Sequence, residues 1–338
     1  MNSIAALDIG GGTQDFLLWD PAQPLENAVK AVWPSPTQAV AARIRRARSR
    51  GRHVYLHGWL MGGGAMASAV EEHIKAGLKV RATPQAAASL YDDLDRVRAM
   101  GVEIADQPLP EAAAIYTTDL NHLTIIQTLA NFEAPLPAKW AVTVCDHGYA
   151  PGTSNRKFRF GIWRDLLAAG GKMKDLITQQ PPPHLTRMQA IVDQQPGALL
   201  MDTAAAALWG ALEDPAVADL AREGVCVVNL GNMHTVAFLV KERRVSGIYE
   251  HHTGCLDALT LENNISRFMA GDITDDEVFD CKGHGCAFLP HASRKPLPVV
   301  ITGPQRRLAQ SLGWQTAVPH GDVMLSGCFG LLAAAKGL

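Results

Sequence analysis

Apolar and polar positions along the first twenty residues predict a hairpin. Residues 4–7 form a short apolar run, Gly10-Gly11-Gly12 follows, and Phe16-Leu17-Leu18-Trp19 is apolar again. This is the pattern of two buried strands joined by a bare tip. Residues 25–34 fit a third strand and residues 37–48 an alanine- and arginine-rich helix. Strand and helix then alternate: 53–57 as strand, Gly62-Gly63-Gly64 as a turn, 65–75 as helix, 78–82 as strand and 84–100 as mostly helix. That rhythm predicts an α/β domain. Prolines mark loops at 107–110 and 133–138, and the apolar strand 140–144 stops at Cys145-Asp146-His147-Gly148. The polar segment 149–186, with Pro181-Pro182-Pro183, reads as the least regular part, an insertion or lid.

The second half repeats the first. Residues 224–230 are an apolar strand ending in Asn229-Leu230-Gly231-Asn232-Met233-His234-Thr235, followed by strands at 236–240 and 244–250. Two hairpins of one design, each opening a set of strands and helices, predict an internal duplication with a ligand between the halves. A chain of 338 residues accommodates two domains of that kind. The expected division is 1–200, carrying the insertion at about 149–186, and 201–338.

Composition changes the picture mainly by exclusion. With 47% hydrophobic and 19% charged residues and a net charge of −2, no global field recruits nucleic acid or an anionic membrane. No apolar run reaches the roughly 18 residues of a membrane span, and no secretory leader is evident, so a cytoplasmic protein is expected. Cys145, Cys226, Cys255, Cys281, Cys286 and Cys328 show no disulfide-framework spacing. Arg43, Arg45, Arg46, Arg48, Arg50 and Arg52 lack interleaved aromatics and read as a solvated helix face rather than a nucleic-acid surface. Met61 and Met66, around the Gly62-Gly63-Gly64 turn, read as core.

Glycine has no Cβ, so the tip Gly10, Gly11, Gly12 and Thr13 lets backbone N–H groups approach an anion. Asp8 and Asp15 flank it as ligands for a divalent cation or its waters, with Asp8 the principal metal-side carboxylate. A plain tight turn is the alternative reading. The ordered segments resemble the superfamily of actin, sugar kinases and heat-shock-chaperone ATPases. Asp8-Ile9-Gly10-Gly11-Gly12-Thr13-Gln14-Asp15 resembles its first phosphate motif, residues 227–240 its second, and Val299-Val300-Ile301-Thr302-Gly303-Pro304 its adenosine motif. Asp202-Thr203-Ala204-Ala205-Ala206-Ala207-Leu208-Trp209-Gly210 resembles one connecting helix, and residues 321–336 the other.

Within the superfamily, Cys145-Asp146-His147-Gly148-Tyr149, Tyr249-Glu250-His251-His252-Thr253-Gly254, Thr302-Gly303-Pro304 and the segment 321–332 resemble a family named pyruvate formate-lyase activating enzyme-like. No three cysteines have the Cys-x-x-x-Cys-x-x-Cys spacing that a radical activating enzyme uses for an iron–sulfur cluster.

The resemblance implies two duplicated ribonuclease H-like domains around a cleft that binds ATP and Mg²⁺. Gly10, Gly11, Gly12, Thr13, Asn229, Gly231, Asn232, Thr253, Gly254, Thr302, Gly303 and Pro304 would then contact the nucleotide. Asp202 would handle the attacking hydroxyl or water, an assignment compatible with a helix N-cap. Asp146 is a reserve for that role or a loop cap, and His147 shares its position. His234 at the second tip could face a terminal phosphate or be a surface turn residue. His251 and His252 point to opposite faces of a strand, so at most one is functional. Arg156 and Arg159, with Asn155, could meet an anionic substrate. Cys281, His284 and Cys286 suggest a soft-metal or redox site, although a fourth ligand is not evident.

Asn229 departs from the superfamily, which usually has aspartate there, so phosphate binding is better supported than cleavage. The expected function is an ATP-dependent phosphotransferase or ATPase acting on an unidentified small-molecule or protein acceptor. The alternative is a non-catalytic, nucleotide-gated regulator or maturation factor for a partner enzyme.

Overall fold

A computed structural model describes residues 3–290, 292 and 294–337. Strands β1 (Ile4–Ile9), β2 (Thr13–Trp19) and β3 (Val29–Pro34) form an antiparallel meander. The chain then builds a separate parallel sheet from β4 (Val54–Gly58), β5 (Val80–Ala82), β6 (Val102–Ile104) and β7 (Ala113–Thr117), in the order β6-β5-β4-β7. It returns through β8 (Lys139–Val144), β9 (Ile177–Thr178) and β10 (Leu199–Met201), giving the first sheet the order β3-β2-β1-β8-β10-β9.

The last strands are β11 (Val225–Leu230), β12 (His234–Lys241), β13 (Arg244–His252), β14 (Gly285–Phe288), β15 (Val299–Thr302) and β16 (Gln315–Thr316). Their order is β14-β13-β12-β11-β15-β16. Without the antiparallel edges β9 and β14, both sheets reduce to one topology: three antiparallel meander strands, then two strands added parallel to the first. This is the ribonuclease H-like order, present twice.

Helices Thr203–Ala211 and Ser326–Lys336 lie at the centre. Every residue from Ala204 to Ala211 is buried, and the helix shares one apolar cluster with Ala6, Leu17, Met201, Phe238 and Phe329. Their crossing is very close because glycine stands at both contact points. A Cβ on Gly210 would collide with the Ser326 carbonyl, and one on Gly330 with the Ala206 carbonyl. The four-stranded sheet has its own core, in which Met61 and Met66 are buried. Helix Pro36–Ser49 turns Val40, Ala41, Ile44 and Ala47 inward, at the spacing of one helical face. On its outer side Arg45 and Arg48 pair with Glu72, in keeping with a solvated basic face.

Two regions differ from expectation. Residues 84–100 break into helices Pro84–Ala87 and Leu94–Ala99, because the Asp93 side chain caps a fresh start. The segment 149–186 is not irregular: it holds the 14-residue helix Asn155–Ala168. Arg159, Phe160, Trp163, Leu166 and Leu167 recur at helical spacing and are buried. Among the described residues no helix is long and apolar enough to cross a membrane.

Candidate functional site

The two hairpin tips close in the same way. Gly10 N–H donates to the Thr13 carbonyl at 2.9 Å, and Gly231 N–H to the His234 carbonyl at 3.0 Å. Asp8 and Asn229 occupy equivalent positions, one residue before the end of β1 and β11, opposite Thr143 and Thr302 on the neighbouring parallel strands. The tips also face each other. A Cβ on Gly12 would come within 2.6 Å of the Asn232 amide nitrogen, and one on Gly11 within 2.9 Å of Met233 Cγ. Asn232 is held in turn by Gln305, which donates to its Oδ1 at 2.8 Å.

The cleft that the tips enclose measures about 520 Å³, within the roughly 300–1,000 Å³ usual for small-molecule sites. Asp8, Gly10, Gly11, Thr13, Asp146, Asn229, Gly231, Asn232, His234, Thr302, Gly303 and Pro304 line it. Gly12, Asp202, Thr253 and Gly254 do not. Thr253 instead braces the second tip: its hydroxyl donates to the Gly231 carbonyl at 2.8 Å and its N–H to the Met233 carbonyl. Gly303 needs to be glycine, since its φ is +97° and a Cβ would crowd the Leu230 carbonyl. The Gly62-Gly63-Gly64 turn also lines the cleft. Its sequence marked a turn without showing which way it faces.

Beneath the first tip, the carboxyl groups of Asp8 and Asp15 are buried close together. Burial raises the Asp8 carboxyl well above its ordinary value, and neighbouring Asp15 and Asp202 push it further. Burial likewise lifts Asp15 to about 7, a hydrogen bond from Thr13 opposes the rise, and Asp322 adds to it. Asp15 Oδ1 is buried without a hydrogen-bond partner. Such an arrangement suits a hard divalent cation, which would satisfy the orphaned oxygen and neutralise the group.

Asp202 is tied up differently. Its Oδ2 accepts from Arg159 Nη1 at 2.8 Å, its Oδ1 from Arg159 Nη2 at 3.2 Å, and Oδ1 also caps Ala204 N–H. Arg159 is buried and reaches Glu250 with its Nε at 2.7 Å. Glu250 accepts a further bond from Trp163 Nε1. Burial pushes Glu250 up, but Arg159, His284 and His234 outweigh it and hold the carboxyl far below its usual range. Glu250 and Arg159 thus lock β13 to helix Asn155–Ala168.

Arg156 is also structural: it donates to the carbonyls of Phe279 and Gly283 and stacks on the Phe279 ring. Asp146 is a loop clamp, accepting from the N–H groups of Gly148, Arg187 and Met188. Arg187 pairs in turn with Asp119.

A group of side chains that local sequence does not bring together completes the wall. His147, His234, His252 and His284 converge, with ring centroids 4.8 Å apart for His234–His284 and His252–His284 and 5.2 Å for His147–His234. Cys145 Sγ lies 3.7 Å from His234 Nδ1. Burial lowers His147 to about 4 and His284 to about 2, so both rings are neutral near pH 7. Of the adjacent pair, only His252 faces this group; His251 stacks on Tyr249. The cysteines expected beside His284 go elsewhere: Cys281 is exposed and Cys286 is buried on β14. Among the described residues these three do not form a donor cluster.

Two ribonuclease H-like halves packed around one cleft, each contributing a hairpin tip, define the actin-like ATPase fold. Residues 61–308 match the family described as "Putative pyruvate format-lyase activating enzyme (DUF1786)", and the chain belongs to that family. No curated protein matches.

Similar solved structures include the ethanolamine utilization protein EutJ from Carboxydothermus hydrogenoformans, at 10% identity over 97% of this chain and 88% of that one, with a TM-score of 0.33. A Ppx/GppA family member from Aquifex aeolicus aligns at 12% identity over 89% and 66% of the two chains, with a TM-score of 0.30. A Bacteroides thetaiotaomicron protein of actin-like ATPase fold and unknown function aligns at 7% identity over 98% and 96%, with a TM-score of 0.36.

Proposed function

We propose that this protein binds ATP with Mg²⁺ in the cleft and transfers the terminal phosphoryl group to an acceptor or to water. The observation that carries this reading is the facing pair of bare hairpin tips above the buried acidic pair of Asp8 and Asp15. N–H groups of Gly11 and Thr13 on one side, and of Asn232 on the other, would receive the phosphates, while the Gly10 and Gly231 N–H groups close the tips that present them. Asp8 and Asp15 would hold Mg²⁺, which supplies charge neutralisation on the phosphate oxygens. Thr302, Gly303 and Pro304 would border the adenosine.

Because Arg159 occupies the Asp202 carboxylate and it is Arg159 that lines the cleft, Asp202 would act on the acceptor through Arg159 rather than by removing a proton. His234 stands at the acceptor end of the second tip. Residues 1–200 and 201–338 are taken as the two halves, and the cytoplasm as the setting, where the six free cysteines stay reduced.

A second reading has its own support. Asn229 brings no charge where Asp8 does, and Asp202 is held by Arg159, so the equipment for hydrolysis is thin. The protein would then be a nucleotide-gated regulator or maturation factor for a partner enzyme.

Thermal unfolding with and without Mg²⁺-ATP tests the shared premise: a raised Tm is expected, and no shift with any nucleotide ends both readings. Phosphate release, with and without candidate acceptors, separates them. Turnover that Asp202→Asn abolishes while nucleotide binding persists favours transfer; binding without turnover in the unaltered protein favours the gate.

A further inference from the structure

The imidazole group has the composition of a ligand set, and hydrogen bonding leaves its most buried member, His284, without a partner. Donor atoms of His234, His252 and His284 all lie within 4.8 Å of one another, as do those of Cys145, His147 and His234. The two sets share His234, so five donors surround one region of the cleft wall. They come from separate places: Cys145 and His147 follow β8, His234 opens β12, His252 closes β13 and His284 immediately precedes β14.

His284 is the sharpest indicator. It is only 1% exposed, and neither of its ring nitrogens has a hydrogen-bond partner. A buried imidazole with two unmet nitrogens calls for a partner that polypeptide does not supply. Glu250 Oε2 lies 3.7 Å from His284 Nδ1, beyond a hydrogen bond but on the side from which a carboxylate would receive the Nδ1 proton. That placement leaves Nε2 free to bind, as in carboxylate–histidine–metal arrangements. Glu250 is itself fixed by Arg159 and Trp163.

We propose that His234, His252 and His284 bind a divalent transition metal of the zinc class, with Cys145 and His147 on the opposite wall offering the fourth donor. Neutral imidazoles and a thiolate are borderline-soft ligands, matched to Zn²⁺, Co²⁺ or Fe²⁺ and poorly matched to Mg²⁺. The site is therefore chemically distinct from the carboxylates under the first tip. It does not depend on nucleotide binding. Three histidines from one half and a donor from the other make it a link across the cleft. If a water or acceptor atom occupies the fourth position instead, the metal is the acceptor's anchor.

The test uses the full-length protein, stripped with a chelator and titrated with Co²⁺. One Co²⁺ per chain is expected, with the intense visible absorption of a tetrahedral nitrogen- or sulfur-ligated ion, displaced by an equivalent of Zn²⁺. His252→Ala and the double variant His252→Ala/His284→Ala should bind more than about 100-fold more weakly, a larger loss than removal of an outer partner causes. Asp8→Asn should leave the spectrum unchanged.

Absence of stoichiometric binding, or only the weak absorption of six-coordinate Co²⁺, overturns the proposal in the unaltered protein, whatever the variants do. Retention of the tetrahedral spectrum by the folded double variant overturns it too. Because the unaltered protein alone can refute the site, variants that fail to fold do not shield it.

Discussion

Gly327 lies directly against the Asp8 carboxylate, so that any Cβ at position 327 would collide with Oδ2. The start of the C-terminal helix is thereby seated on the acidic residue of the first hairpin, although 319 positions separate the two in the chain. Gly327→Ala must push Asp8 out of place. The expected outcome is a folded protein whose Tm no longer rises with Mg²⁺-ATP. Gly313→Ala, where nothing lies within 4 Å but φ is +67°, serves as the comparison: it should lower Tm and leave the nucleotide response intact. An unchanged response in Gly327→Ala would remove Asp8 from the site.

Arg159, itself buried, neutralises two carboxylates. Removing one partner of a buried ion pair strands the other charge and costs about 3–5 kcal/mol. Arg159→Met should lose that much stability in urea unfolding. Adding Glu250→Gln should recover part of the loss, since a neutral amide replaces the stranded charge. A smaller loss from Arg159→Met than from Glu250→Gln alone contradicts the arrangement.

The raised Asp15 value makes a signed prediction for stability against pH. Its folded-state value is about 7 against an ordinary 3.8. The folded form holds its proton more tightly, so Asp15 favours folding below about pH 4 and loses that contribution as pH rises to about 7. The steepest loss is about 1.4 kcal/mol per pH unit. The neutral histidines His147 and His284 act in the opposite sense between about pH 4 and 6.5, since the unfolded chain protonates them. The informative quantity is therefore the stability of Asp15→Asn relative to the unaltered protein, measured with chelator at pH 5 and 7.5. The variant should gain on the original as pH rises, and Mg²⁺ should narrow the difference. A difference independent of pH would show that Asp15 ionises normally.

Both hairpins were legible because their signal is local: apolar strand, glycine tip and returning strand lie within seventeen residues in each, Ile4–Trp19 and Val225–Lys241. Asp202 also read correctly as a helix cap, for the same reason. The metal-type cluster was not legible. His147, His234, His252 and His284 are spread over 138 positions, and only the pairing of β12, β13 and β14 brings the last three together. In sequence His284 stands beside Cys281 and Cys286, whose thiols diverge from it in space. Helix Asn155–Ala168 did carry a readable signal. The spacing of Phe160, Trp163 and Leu167 is helical, but the surrounding glycines and prolines hid it, and with it the buried position of Arg159.

Two glycines permit a direct comparison of backbone freedom with packing. Gly161 sits inside helix Asn155–Ala168 with open space where a Cβ would go. Gly161→Ala should therefore stabilise the protein by about 0.5–1 kcal/mol. Gly210→Ala gains the same helical preference but drives its methyl into the Ser326 backbone, and should cost about 3 kcal/mol. Chemical denaturation of both variants measures the contrast, and equal effects would mean that the helices do not cross this tightly.

That crossing also limits how the molecule can move. Closer approach or sliding of either central helix would drive the Ser326 and Ala206 carbonyls into the opposing backbone, so the crossing has no slack at positions 210 and 330. The C-terminal helix is thereby fixed on the helix that Asp202 caps, and with it Gly327, which lies against Asp8.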